Sequence, residues 1–307
     1  MSRSPLTGWT LAALAALAAL VAPIAADARA AAEPASPAAP VVSYVALGDS
    51  YTAGPLIPVQ TGQPAGCQRS DHNYPSLVAE TLEVTGFTDV SCSGATTAHL
   101  TAPQSVQGGV NPPQIEALDP DVELVTLGIG GNDIGFGEII NECARRSPTR
   151  PGGAACRDFY TAGGRDELAE RIAATAPDIA AALDEIGRRS PDAHVLVVGY
   201  PVILPADGPG CFPLVPLTPG DVAYLRATEE RLNAMLADEA EEAGADYVDT
   251  YGPTVGHDMC QPPGDKWVEG FVPTSAAAPV HPNALGMAAM ADAVVLELGD
   301  EILEPAS

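Results

Sequence analysis

Val41-Val42-Ser43-Tyr44-Val45-Ala46-Leu47, closed by Gly48-Asp49-Ser50, is the stretch that decides the fold. It is short, apolar and β-branched, and it lacks the alternation of a strand with one wet face. Such a strand is buried on both sides, as in parallel sheets covered by helices. Similar runs recur at Asp89 to Cys92, Val122 to Leu127, Val195 to Gly199 and Ala245 to Asp249. Between them lie helical patterns at Tyr74 to Val84, at Asp166 to Arg189 with an interruption near Pro177, and at Asp221 to Ala243. A last helix runs from Pro282 to Leu298, with Pro282 suited to a first helical position. Strands alternating with helices require parallel crossovers. The expected architecture is therefore α/β, a three-layer α/β/α sandwich around a mainly parallel five-stranded sheet.

Upstream of this strand, Met1 to Ala30 reads as a secretory signal. Arg3 supplies a positive start, Leu11 to Ile24 is an almost unbroken Leu/Ala run, and Ala26-Asp27-Ala28 and Ala28-Arg29-Ala30 offer small-x-small cleavage sites. Pro23 and Asp27 close the run short of a bilayer span, and no later stretch is long and apolar enough to be one. Residues 31–40 read as an Ala/Pro linker and residues 41–307 as the folded domain. The mature chain is expected to be secreted, monomeric and without an integral membrane association.

The 307 residues carry 14 Lys+Arg against 40 Asp+Glu, a net charge of −26. That charge repels phosphate backbones and anionic bilayers, which leaves no nucleic acid among the expected partners and favours a small or neutral substrate. Hydrophobic residues make up 46% of the chain, enough for a packed core. Cys67, Cys92, Cys143, Cys156, Cys211 and Cys260 form an even set without a C-x-x-C spacing, so export implies three disulfides rather than a zinc site. Sequence alone does not select among their pairings.

Long Pro/Gly-rich loops occupy residues 54–66, 147–153, 201–219 and 252–275. In open parallel sheets, ligands sit at the carboxyl ends of the strands, where such loops gather. At the first of these ends stands Ser50, with an exposed hydroxyl beside an outward backbone N–H; the alternative is a plain helix cap. Thr52 occupies the position where a G-x-S-x-G elbow needs glycine, which disfavours an ordinary α/β-hydrolase. The third strand ends in Gly128-Ile129-Gly130-Gly131-Asn132-Asp133. Asp133 replaces the third glycine of a dinucleotide loop, while the Asn132 amide is placed to hold a developing oxyanion or simply to make a turn. Gly94 offers a further backbone donor. A serine needs a base of near-neutral pKa, and His281, just before the last helix, is the best of the five histidines. His194 begins a strand and reads as structural, whereas His72, His99 and His257 lie in loops without a fixed relation to a strand end.

Gly48-Asp49-Ser50-Tyr51, Gly94, Gly131-Asn132-Asp133 and His281-Pro282-Asn283 resemble, in order and character, the four blocks of the SGNH hydrolases, the GDSL-type lipases and esterases. Each block is weak alone; four in order are specific. The similarity spans Val41 to Leu298 and is greatest to the secreted actinobacterial lipase branch. The resemblance implies a flavodoxin-like fold, Ser50 as nucleophile and His281 as base. It implies an oxyanion hole from the Ser50 and Gly94 N–H groups and the Asn132 amide, and no metal or organic cofactor. By analogy, the disulfides are Cys67–Cys92, Cys143–Cys156 and Cys211–Cys260.

One departure matters. Most family members carry Asp three residues before the histidine, where this chain has Ala278. The Ala278 carbonyl is then the candidate to orient the imidazole, with Asp258 and Asp265 as lower-ranked substitutes. The implied activity is a secreted serine esterase or lipase acting on neutral lipid esters such as triacylglycerols, with a groove formed by loops such as residues 201–219. A carbohydrate acetylesterase, a phospholipase and a non-catalytic binding protein are the alternatives.

Overall fold

The computed structural model describes residues 41–303, so the expected signal and linker lie outside the described residues. Five strands form the sheet: β1 (Ser43–Gly48), β2 (Gly86–Asp89), β3 (Leu124–Gly128), β4 (His194–Val198) and β5 (Asp246–Val248). Their order is β2-β1-β3-β4-β5, all neighbours parallel. This is the doubly wound order whose chain reverses direction between β1 and β3. The helices used below are α1 (Ser50–Ala53), α2 (Tyr74–Thr81), α3 (Phe136–Arg146), α4 (Ala155–Tyr160), α5 (Glu167–Arg189), α6 (Pro219–Ala243) and α7 (Ala284–Leu303).

Strand residues alternate between two apolar layers. Val45, Leu47, Val125, Leu127 and Val197 pack with Ile179 of α5 and Leu232 and Leu236 of α6. Tyr44, Ala46, Leu124, Leu196, Val198 and Val248 pack with Val78 of α2 and Met287, Met290 and Val294 of α7. Both faces of the sheet are dry, which is why the strands read as continuous apolar runs.

Several boundaries differ from expectation. The second strand begins three residues early, at Gly86, because an edge strand needs only one apolar face and its polar residues hide it from a hydropathy reading. Its ladder still continues through the expected segment, with Val90 N–H donating to Ala46 O and Cys92 N–H to Gly48 O at 3.0 Å. Pro177 does not interrupt α5, which runs for 23 residues. Proline removes one backbone donor, and burial of Ile172, Ile179 and Ile186 along the helix outweighs that loss. Pro282 is not a first helical residue; it bridges Val268, and Asn283 accepts from the N–H groups of Leu285 and Gly286 at the start of α7. Helix α3 falls in a stretch without an expected element. The three cystines are Cys67–Cys92, Cys143–Cys156 and Cys211–Cys260. Among the described residues no helix is long and apolar enough to cross a membrane.

Candidate active site

The loops after β1 and β3 meet at the point where the sheet reverses direction. Gly48 and Gly128 are register partners at the carboxyl ends of these strands, and Asp49 N–H donates to Gly128 O at 2.9 Å. A Cβ on Gly48 would stand 2.2 Å from Thr52 Oγ1 and 2.7 Å from Gly128 O. Only glycine lets the chain fold back so tightly here. The sharp turn starts α1, and Asp49 caps it, its side chain accepting from Tyr51 N–H at 2.8 Å. With capping assigned to Asp49, the Ser50 hydroxyl is left for other work.

His281 Nε2 lies 2.8 Å from Ser50 Oγ, across 231 residues of sequence. Its Nδ1 lies 2.8 Å from the carbonyl of Pro279, not from that of Ala278. The reason is the residue between Pro279 and His281. Val280 takes the left-handed region (φ 58°), which a β-branched residue rarely adopts, and this turn swings the Pro279 carbonyl toward the ring. Ala278 is used elsewhere, its N–H donating to Pro55 O at 3.0 Å. A carbonyl acceptor at Nδ1 selects the tautomer that leaves Nε2 free to take the serine proton. Burial lowers the His281 pKa, partly offset by the Pro279 bond, so the ring is neutral at pH 7.

Neither carboxylate substitute is the partner of His281 Nδ1, which meets the Pro279 carbonyl. Asp258 accepts from Cys260 N–H and Gln261 Nε2, and the Asp265 carbonyl meets His257 Nδ1. The other histidines also have their own partners: His72 Nδ1 meets Asp71, His99 Nδ1 meets Thr96, and His194 Nε2 meets Asp246 at 2.7 Å.

Asn132 shares the cleft with Ser50 and His281. Its Nδ2 donates to Ala95 O at 2.8 Å, which ties the loop after β3 to the Gly94 turn and leaves a second amide hydrogen. Asp133 strengthens the tie by accepting from Thr97 N–H and Oγ1. Gly94 sits at φ 76°, a left-handed position suited to glycine. Neither Ser50 N–H nor Gly94 N–H donates a hydrogen bond among the described residues.

Sequence reasoning assigned no role to several residues that hold this arrangement. Tyr51 donates from its hydroxyl to Val280 O at 2.6 Å, and its ring lies 4.9 Å from that of His281. Tyr200, just past β4, accepts from Gly131 N–H and donates to Asp49 Oδ2, both at 2.7 Å. Burial, opposed by the bonds from Tyr200 and Tyr51, raises the Asp49 pKa to about 7. Glu269, wholly buried, accepts from Asn283 Nδ2 at 2.9 Å and from Thr274, and faces Lys266 Nζ at 3.3 Å. Burial works to raise its pKa, yet these bonds and the ammonium take it below the ordinary range. Its backbone N–H donates to His281 O at 2.9 Å, so the histidine loop is anchored on both flanks.

Beside the Ser50–His281 pair opens a cleft of about 780 Å³, its mouth included. Its walls are Phe136, Ile139 and Ile140 of α3, Leu225 and Leu232 of α6, and Ile134 between β3 and α3. The loop at 201–219 supplies only Ile203 and Leu204; Phe212 and Leu214 of that loop face solvent. The spacing Phe136, Ile139, Ile140, Cys143 is the three- and four-residue signature by which α3 is legible in the sequence.

A hydroxyl bonded to a neutral, oriented imidazole, with free amide donors beside it and an apolar cleft adjoining, is an arrangement for acyl transfer on esters. The chain belongs to the GDSL-like Lipase/Acylhydrolase family, whose model matches residues 46–289. It is 43% identical over 264 residues to Lipase 2 of Streptomyces coelicolor, covering 84% of this chain and 86% of that protein. Among solved structures, it resembles phospholipase A1 from Streptomyces albidoflavus NA297 with a TM-score of 0.70 at 26% identity, covering 83% of this chain and 99% of that one. It also resembles an extracellular lipase from Streptomyces rimosus, with a TM-score of 0.68 at 27% identity and the same two coverages.

Proposed function

We propose that this protein is a secreted serine esterase that cleaves neutral lipid esters, triacylglycerols among them, through an acyl-enzyme on Ser50. The observation that carries the reading is the 2.8 Å contact from His281 Nε2 to Ser50 Oγ, with His281 Nδ1 held by the Pro279 carbonyl. Ser50 Oγ attacks the ester carbonyl while His281 takes its proton. The oxyanion is received by the Ser50 and Gly94 N–H groups and the free hydrogen of Asn132 Nδ2. His281 then protonates the leaving alcohol, and water, deprotonated by His281, releases the acid. The apolar cleft suits an acyl chain, and the net charge of −26 disfavours anionic lipid surfaces. Export agrees with the three cystines and the leader-like N-terminus.

The test is Ser50→Ala, read with p-nitrophenyl esters, tributyrin and phosphatidylcholine. The variant is expected to fold as the parent does and to lose all three activities. A helix-start serine without chemistry would leave hydrolysis intact, and that result would end the reading. Parent activity on phosphatidylcholine well above that on tributyrin would redirect the substrate class to phospholipid.

A further inference from the structure

Besides Asp49, which is held by Tyr51 N–H and the Tyr200 hydroxyl, the cleft is lined by a second carboxyl group that acyl transfer does not use. Glu229, on α6 between the lining residues Leu225 and Leu232, borders the cavity with only 8% of its surface exposed. Its two oxygens share a single donor, Ile203 N–H, at 3.1 and 3.4 Å. The charged groups that act on it are Glu230 and Asp258, both acidic. Burial, opposed by the bond from Ile203 N–H and reinforced by these two neighbours, raises its pKa well above the ordinary carboxylate range and so favours the protonated form.

A neutral carboxyl has an O–H to donate, and the Ile203 contact uses only acceptor capacity. The neighbouring Thr228 hydroxyl is committed to Tyr224 O at 3.0 Å. Among the described residues the hydrogen bonds of the Glu229 carboxyl are those from Ile203 N–H alone, and Ile134, Ile139, Leu225 and Leu232 line the same cleft. An alkyl chain filling the cleft would strand that donor away from water, whereas a chain bearing an oxygen at the right depth would satisfy it.

We propose that the Glu229 carboxyl is a specificity-determining hydrogen-bond donor, selecting esters whose acyl chain carries a hydroxyl or keto oxygen along its length. The inference rests on the acyl-transfer reading, which places the acyl half of the ester in this cleft. A carboxyl serving only to hold Ile203 would stabilise the loop after β4 without distinguishing one chain from another.

The experiment compares kcat/KM for p-nitrophenyl octanoate with that for its monohydroxy isomers, the hydroxyl moved stepwise along the chain. The native protein is expected to favour at least one isomer by about five- to tenfold, the worth of one neutral hydrogen bond. Glu229→Gln keeps an acceptor for Ile203 and a donor for the substrate, and should retain the preference. Glu229→Leu should bring the ratio to unity or below, and the ratio cancels any general loss of active protein. If circular dichroism shows Glu229→Leu unfolded, Glu229→Met reads the same ratio. Absence of any favoured isomer in the native protein, or an unchanged ratio in the apolar variant, overturns the inference. Failure of the native protein to cleave either ester instead overturns the acyl-transfer reading, so the two failures are distinct.

Discussion

Tyr51 and Val280, 229 residues apart, are joined by a hydrogen bond of 2.6 Å from the phenol to the carbonyl. The bond holds the left-handed turn that precedes His281, so a residue next to Ser50 sets the backbone that aims the imidazole at it. Tyr51→Phe removes only the hydroxyl. The relaxed turn should lower kcat roughly ten- to a hundredfold with KM little changed, because sub-ångström misplacement of a proton-transfer partner is costly. Steady-state kinetics checks this, and an unchanged kcat would show that the turn holds itself.

The pH dependence of ester hydrolysis follows from the His281 environment. In the proposed mechanism its neutral form is the base, and burial lowers its pKa in the folded protein. Activity should be complete above pH ~6.5, the ordinary histidine value, and fall as pH drops through the lower folded value. A kcat/KM profile whose acid limb is centred above pH 6.5 would contradict the assignment.

Asp49 predicts a trend in stability of the opposite sign to an ordinary salt-bridged carboxylate. Its pKa rises from about 4 in the unfolded chain to about 7 in the folded one, so the folded state holds the proton more tightly. That contribution is complete below pH ~4 and is lost as pH rises to about 7. Asp49→Asn abolishes the titration. Urea unfolding from pH 4 to pH 8 should show the native protein losing stability relative to the variant through this window, with no further divergence above it.

Glu269 anchors the histidine loop through a buried cluster. Glu269→Ala would leave Lys266 unpaired in a dry site and Asn283 without one acceptor. Breaking such a pair costs about 3–5 kcal/mol, and Glu269→Gln, which preserves the hydrogen-bond acceptor, should cost less. Urea midpoints decide the order; both variants lose the ion pair, so equal midpoints would show that the hydrogen bonds accepted from Asn283 and Thr274 add nothing to it.

The sheet was legible in the sequence because its strands are dry on both faces and therefore apolar throughout, as at Tyr44 to Leu47 and Leu124 to Leu127. Helix α3 was harder to read, since Gly135 and Gly137 at its start mimic a loop even though Phe136, Ile139 and Ile140 keep helical spacing. The edge strand was shifted because polar residues cover its wet side. The positions of Ser50, Gly94, Asn132 and His281 were recognisable because each stands beside a local signature of glycines or proline in a fixed chain order.

What the amino-acid sequence determines by itself is therefore the alternation of layers and the cast of residues at the strand ends, for these follow from short-range spacing and side-chain type. Only the tertiary structure decides that Pro279, not Ala278, meets the imidazole, that Asp49 and Tyr200 share a buried bond, and that Glu229 faces the apolar cleft. Each of these depends on a backbone turn or a contact between segments distant in the chain, and such geometry is set by the packing of the whole sheet and its covering helices rather than by neighbouring residues.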